Sequence, residues 1–516
     1  MGMMIYKSTV EARDGTLVPV FTDDKTMFSR YAPLKEVENF VSNTTCDDAD
    51  DFQGGFFVIA GLGNGIHIKS LRKRFPDSFI LVVENSDDDI LWLKKNFNLC
   101  EVLSMENLCV TNISHAVEVF RNAYNPLLHG NFIFLPVRSW VNQIPKESEA
   151  LRHSLEQTIS SIAGDYSTQA YFGKIWFRNF FLNLKEMINI PALTNTIKPQ
   201  DFVGAFVAAA GPSLEKNIPD LQNSSIRKKI YLIATDTALP VLLRHQIIPD
   251  MTVTIDGQTS SARHFLQKIP KSMILAADLT SNSNVVKRCI NFECPIFFFR
   301  NKNPLSLILD DFLKESGFKG IPEINTGAGT VTAAAVDIAR KIGFSQIQIG
   351  GGDFAYIQGK PYCRGTYFED LFCNNSLRIN PTEQRYIGLT YRRKTTTKEG
   401  KTVTTILEEY NKYFQQYIKN NPEICFITDS ERVNTSFKGI YNNKFSLDFF
   451  HLPQQQIIDF FQWYETLLEE GNKKVIFSIL PLFAWYMKKN NGKCDIFHIM
   501  KLAYSLMVRY TGTYGK

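Results

Sequence analysis

The 516-residue sequence lacks paired cysteines: nine are scattered from Cys46 to Cys494, none at CxxC spacing. That argues against structural zinc and reads as reduced thiols in a cytoplasmic protein. Long apolar runs are missing too. The best candidate, Val475 to Met487, is 13 residues flanked by Lys474 and Lys488 and contains Pro481. A membrane span needs about 20 apolar residues, so this is a buried segment. The N-terminus shows no basic stretch leading into an apolar run, so no signal peptide is expected. An excess of one charge is also absent. Lys+Arg 57 against Asp+Glu 52 leaves only +5, too little for a nucleic-acid-binding surface. With 44% hydrophobic and 21% charged residues the chain is neither disordered nor a coiled coil. What it has in plenty is phenylalanine, 40 residues, which implies cores rich in large aromatics.

At roughly 100–200 residues per domain, the length predicts about three domains, or two with an appendage. The first block, 1–195, contains Phe56-Phe57-Val58-Ile59-Ala60, the turn Gly61-Leu62-Gly63-Asn64-Gly65, an amphipathic stretch, and Phe79–Val83 ending in Glu84. This is a β-α-β pattern with an acidic residue 19 positions after Gly65, as in Rossmann-like nucleotide sites. The third glycine of the fingerprint is missing, so the turn is expected to be structural. A helical linker with an aromatic stripe follows (Tyr171, Ile175, Phe177, Phe181, Leu184), read as a packing face, and Pro191 with Thr194–Thr196 marks a boundary. A hairpin and helix, expected as an insertion or lid, occupy 392–446. A helical C-terminal domain occupies 447–516, with helices at 457–468, 475–489 and 496–509.

The block 196–391 carries the chemistry. Apolar runs alternate with amphipathic stretches, predicting parallel strands at Phe202–Ala210, Ile230–Thr235, Met251–Ile255, Met273–Ala277, Pro295–Phe299 and Ile347–Gly351. In such a sheet all carboxyl ends share one edge, where ligands bind. These runs end in Gly211-Pro212-Ser213, Asp236, Asp256, Asp278, Arg300 and Gly352-Asp353, and Ile324 leads into Asn325-Thr326-Gly327. Gly211 would let backbone approach a ligand. Pro212-Ser213 and Asn325-Thr326-Gly327 would each open a helix whose N–H groups hold a phosphate or ribose. An aspartate there can bond a ribose hydroxyl, hold a metal, act as a base, or simply cap a helix.

The strings Phe206–Leu214, Ala234–Leu243 and Ile247–Asp256 resemble the motility associated factor family of flagellin glycosyltransferases. The resemblance spans about Phe52 to Tyr391. It implies an α/β fold: a Rossmann-like N-terminal domain, a sialyltransferase-like central domain and a helical C-terminal domain. It further implies cytoplasmic transfer of a nonulosonic acid (of the pseudaminic or legionaminic type) from a CMP-activated donor to Ser or Thr of flagellin, inverting as sialyltransferases are. Gly211-Pro212-Ser213 is similar to the first nucleotide loop of bacterial sialyltransferases and Asn325-Thr326-Gly327 to their Thr/Ser-Gly loop. Gly351–Tyr356 is similar to a stretch carrying a tyrosine that faces the donor phosphate, which picks out Tyr356 and Tyr362. Gly211, Pro212, Ser213, Asp236, Asp278, Asn325, Thr326 and Gly327 are then the nucleotide-sugar contacts.

That family's sialyltransferase relatives use a histidine after the tyrosines as base, and this chain has none between His264 and His451. His245 and His264 read as surface or packing histidines. Asp256 is therefore the expected base, with room beside it at Gly257, and Asp353 is expected to position the tyrosine loop. No cofactor beyond the donor is required, although Mg²⁺ is compatible with the aspartates. Flagellin and a nucleotide-activated sugar are the expected partners. The same central pattern also fits a pterin diphosphokinase using ATP and Mg²⁺, and a non-catalytic flagellin-binding assembly factor is the third alternative.

Overall fold

The computed structural model describes residues 4–44, 55–130, 132–188, 190, 197–327, 329–398, 400–428, 430–436, 452–490 and 495–512. The expected boundary at Pro191 and Thr194–Thr196 lies outside them. So do Ala328 of the third loop, Glu399 of the hairpin, and 447–451. The chain divides into two compact units, Met1–Thr168 and Gln169–Lys516.

In the first unit, β1 (Tyr6–Glu11) and β2 (Leu17–Phe21) form an antiparallel hairpin. β3 (Phe56–Ala60), β4 (Phe79–Glu84), β5 (Leu108–Asn112) and β6 (Phe132–Pro136) form a parallel sheet in the order β5-β4-β3-β6. α1 (Ile66–Arg74) makes the crossover from β3 to β4. β3 is buried at every position because helices cover both faces, which is why it reads as an unbroken apolar run.

The 43-residue helix α2 (Pro145–Met187) gives its first turns to the first unit and its last to the second. The second unit is built on seven parallel strands: β7 (Gly204–Ala208), β8 (Ile230–Thr235), β9 (Met251–Thr254), β10 (Ile274–Asp278), β11 (Ile296–Phe299), β12 (Gln346–Gly350) and β16 (Cys425–Ile427). Their order is β11-β10-β9-β8-β7-β12-β16. A three-stranded antiparallel sheet joins β13 (Tyr356–Ile357), β14 (Thr395–Lys398) and β15 (Lys401–Thr404). The hairpin expected in 392–446 is present, and its β15 pairs with the tyrosine loop, Tyr356 opposite Thr402. β16, from the same block, extends the main sheet beside β12. Next to β11 a single parallel bridge pairs Glu323 with Arg300.

Among the other helices of the second unit are α3 (Val331–Ile342), α4 (Tyr367–Asn374), α5 (Thr405–Asn420), α6 (Gln454–Glu469), α7 (Lys473–Lys489) and α8 (Ile496–Thr511). The aromatic stripe of α2 packs on this C-terminal group: Phe181 lies 6.0 Å from Phe461 and 5.5 Å from Tyr464 between ring centroids. α2 and α7 meet at Gly173, where a Cβ would stand 1.7 Å from the Pro481 carbonyl oxygen. Only glycine permits that approach. No described helix is long and apolar enough to cross a membrane.

Candidate functional site

Chain order reverses between β7 and β12: β8 to β11 lie on one side of β7, and the chain then returns to β12 on the other. Ligands of open α/β sheets bind in the crevice at such a point. Here the loops after the two strands are latched together. The Gly211 amide donates to the Gly351 carbonyl (2.9 Å), the Ser213 amide to Asp353 Oδ2 (3.0 Å), and the Gly351 amide to Ser213 Oγ (3.1 Å). A Cβ on Gly211 would fall 2.4 Å from Asp353 Oδ2, so the latch requires glycine.

Beside the latch lies a cavity of about 260 Å³. Its walls are the backbone of Ala209–Gly211 and of the loop after β12, the threonines Thr235, Thr237, Thr330 and Thr332, and the tyrosines Tyr356, Tyr362 and Tyr410. Thr330 caps α3 by accepting from the Ala333 amide (3.0 Å), so the positive end of that helix dipole meets the cavity. Burial pushes the Tyr356, Tyr362 and Tyr410 hydroxyls above their ordinary pKa, which keeps them protonated as donors. Tyr362 is further fixed by stacking on Phe368, 4.8 Å between ring centroids. Among the described residues no three His, Cys, Asp or Glu side chains gather as a metal site. The side chain of Asp353, the one acid on the wall, is engaged by Ser213.

The expected contacts divide. Gly211, Asp353, Tyr356 and Tyr362 meet at the cavity. Pro212 and Ser213 do not open an α-helix; they begin a 3₁₀ turn, Pro212–Lys216, and Ser213 faces the Gly351 loop. Asn325, Thr326 and Gly327 form the turn leading to α3 and do not line the wall. Asn325 Oδ1 accepts from the Gly327 amide and from the Tyr413 hydroxyl (2.7 Å), and the Thr326 carbonyl accepts from the Thr330 amide (2.9 Å). The helix N-terminus that reaches the cavity is thus Thr330–Thr332.

Asp236 is turned inward, accepting from the Thr254 hydroxyl (2.9 Å) and the Thr237 amide (2.7 Å). Asp278 is fully buried: Oδ1 accepts from the Thr280 amide (2.8 Å), while Oδ2 has no partner. It lies under the surface and, unlike Asp353, does not line the cavity. Burial pushes its carboxyl up to about 6. Asp256 is part-buried, accepts from the Gln258 amide (2.8 Å), and is likewise raised by burial.

His264 is packed, one of the two places expected for it, and its surroundings add a charge environment that packing alone does not require. It is 8% exposed, lies in the fields of both Asp236 and Asp256, and its Nδ1 has no partner. Burial holds it neutral against the pull of the two carboxylates. Its ring meets Tyr367 at 4.8 Å, and Tyr367 and Tyr362 both contact Phe368. An aromatic chain therefore connects the Asp256–His264 pair to the cavity wall. α2 supplies two further residues that sequence reasoning passed over. Asn179 Nδ2 donates to the Gly257 carbonyl (2.9 Å) and Asn183 Nδ2 to the Ser281 carbonyl (2.9 Å), so the helix pins the loops after β9 and β10. Their spacing of four, one helical turn, is the signal that was available.

Comparison with known proteins adds to this geometry. Residues 178–359, the stretch that holds both latched loops, match the family model described as 6-hydroxymethylpterin diphosphokinase MptE-like. An uncharacterized protein of Treponema pallidum (strain Nichols) is 32% identical over 257 residues, which cover 49% of this chain and 81% of that protein. A second from the same organism is 34% identical over 154 residues, 29% of this chain and 70% of that protein. This chain belongs to one family with these treponemal proteins. The structure of the MAf glycosyltransferase from Magnetospirillum magneticum AMB-1 matches over 98% of this chain and 86% of that one, with a TM-score of 0.53 and 12% identity. At that identity the likeness is one of fold, and it spans nearly the whole chain.

Proposed function

We propose that this protein is a glycosyltransferase that moves a nonulosonic-type acid from a CMP-activated donor to a Ser or Thr hydroxyl of flagellin. The observation carrying this reading is the donor-lined cavity at the β7/β12 switch. Phenols, threonine hydroxyls and a helix N-terminus converge there, and the acid on the wall is engaged by Ser213. Such a wall suits a phosphate that gains negative charge as it departs. The acceptor oxygen attacks the anomeric carbon, the bond from that carbon to the CMP phosphate oxygen breaks, and CMP leaves with the electron pair. Tyr356, Tyr362 and Tyr410 donate to the leaving phosphate. The acceptor proton passes to Asp256, which has the neutral imidazole of His264 beside it. Asp256 follows β9 and His264 lies in the 3₁₀ stretch Thr259–Phe265 after it.

The fold likeness to a glycosyltransferase along 98% of the chain supports the reading. The test is intact-mass measurement of flagellin from cells with and without this protein. An unchanged flagellin mass overturns the acceptor, and CMP failing to raise the melting temperature overturns the donor.

A second reading, pterin diphosphokinase, is favoured by the family match over residues 178–359. It places ATP in the same cavity and a hydroxymethylpterin at the strand ends. Stabilisation by ATP with Mg²⁺ but not by CMP would select it.

A further inference from the structure

A second cavity, of about 680 Å³, opens where the 170–178 stretch of α2 meets the last turns of α7 and α8. Five cations line it, Lys174, Arg178, Lys488, Lys489 and Arg509, and its lining includes no acid. Among the described residues Lys174, Lys488, Lys489 and Arg509 form no ion pair with a carboxylate. Lys174 and Lys489 both rest on one ring, with Nζ 4.6 and 5.3 Å from the Trp485 centroid. Arg178 spends Nε and Nη2 on the neutral Asn179 Oδ1. Positive charge at the end of a helix ordinarily complements the helix dipole, and that accounts for Lys488, Lys489 and Arg509. It does not account for Lys174 and Arg178, which stand inside α2, well before its end at Met187. Like charges gathered at this range repel one another, and an anion between them removes the cost. The volume falls within the roughly 300–1,000 Å³ of small-molecule sites.

We infer that this cavity binds a small ligand carrying at least two phosphate groups, held by the five cations with its body against Trp485. Pairing several phosphate oxygens with Lys and Arg is the chemistry such a cluster serves best. A nucleoside diphosphate and a sugar bisphosphate share it. The inference stands apart from the reading of the β7/β12 cavity, since no residue lines both.

The test uses the full chain at low salt, where surface electrostatics are least screened. Pyrophosphate, CDP, fructose 1,6-bisphosphate and sulfate are titrated by calorimetry, with tryptophan fluorescence followed in parallel. Pyrophosphate is expected to bind more tightly than sulfate, and the better of the two organic probes identifies the source. Lys174→Glu with Arg509→Glu should weaken binding roughly 100-fold, as for loss of several charge-assisted contacts. Lys488→Ala with Lys489→Ala, at two exposed positions, should weaken it about 10-fold and guards against a misfolded double reversal. Thr332→Trp, which fills the other cavity, should leave pyrophosphate binding intact. Equal affinity for sulfate and pyrophosphate, no binding by any probe, or binding that survives both pairs of substitutions overturns the inference. In that case Lys488, Lys489 and Arg509 serve the helix ends alone.

Discussion

The two parallel sheets share a plan and differ in what fills it. In the first unit the strand order reverses between β3 and β6, and in the second between β7 and β12. Each reversal carries a glycine-rich turn. At the first, Met27 and Trp140 occupy the space: Met27 Sδ stands 2.3 Å from where a Cβ on Gly63 would be, and Trp140 3.0 Å from one on Gly61. Glu84, the acid placed to bond a ribose, accepts from the Leu62 amide (2.8 Å), the Tyr6 hydroxyl (3.1 Å), the Asn85 amide (2.8 Å) and the Trp140 indole. At the second, the acid Asp353 latches one loop to another and leaves a cavity beside them. A glycine turn and a strand-end acid therefore do not make a site. What decides is whether other residues consume the acid and the space.

The largest effect expected from breaking this comparison is in the first unit. Glu84→Leu takes their carboxylate acceptor from three buried donors, Tyr6, Leu62 and Trp140, and from the part-buried Asn85 amide, each buried loss costing about 1–3 kcal/mol. A loss of about 4 kcal/mol or more is expected in urea unfolding followed at Trp140, and a loss under about 1 kcal/mol would mean the acid is not the hub described here.

Next comes His67, buried under the same turn with Nε2 bonded to the Gly61 carbonyl (2.9 Å) and lowered by burial to about 4. A histidine whose folded pKa is depressed stabilises the fold above its unfolded value of about 6.5 and loses that contribution as pH falls towards 4. The first unit should lose about 3 kcal/mol across that window. His67→Gln, which cannot acquire the charge, should flatten the dependence. An equal pH slope in the variant would exclude His67 as its source.

The second unit is sharpened by Asp256→Asn, which should retain CMP binding while flagellin modification falls roughly 10²-fold, the size of a lost general base. His264→Gln separates the partners. If it lowers the rate as far and moves the acidic limb of the pH–rate profile, the two side chains act as a pair. If modification survives both substitutions, the base lies elsewhere on the strand edge.

Much of this was legible in the residues. Uniformly apolar runs ending in small or polar residues located six strands of the second sheet and the β3 and β4 strands of the first to within two residues at their ends, because parallel strands covered on both faces leave that trace. β5 and β6, whose part-exposed positions break the run, were not located. The hairpin and the three C-terminal helices were readable for the same reason, from period and turn chemistry. Contacts distant in sequence were not. Met27 stands more than thirty residues before the turn it fills. β16 is a three-residue strand, too short for a periodic signal. His264 sits in a short 3₁₀ stretch, Thr259–Phe265, whose pattern does not show which side faces Asp256. Asp278 shows the limit on the other side: its place after an apolar strand was right for a site, but its depth could not be read from position alone.

That depth yields the smallest effect, and one opposite in sign to that of His67. Asp278 is fully buried, its Oδ2 is unpartnered, and burial raises its carboxyl to about 6. A carboxylate with a raised folded pKa contributes most below its unfolded value, near 3.9, and the contribution is lost as pH climbs through about 6. At pH 8 the fold therefore carries a buried charge that Asn would not. Asp278→Asn keeps Oδ1 for the Thr280 amide and replaces the orphaned oxygen with an NH₂ group. It should stabilise the second unit by about 2 kcal/mol at pH 8 and by little at pH 5. Melting temperatures of the variant and the parent at the two pH values give the answer. A variant less stable than its parent at pH 8 would mean that the ionised carboxylate is needed where it stands, and Asp278 would return to the candidate site.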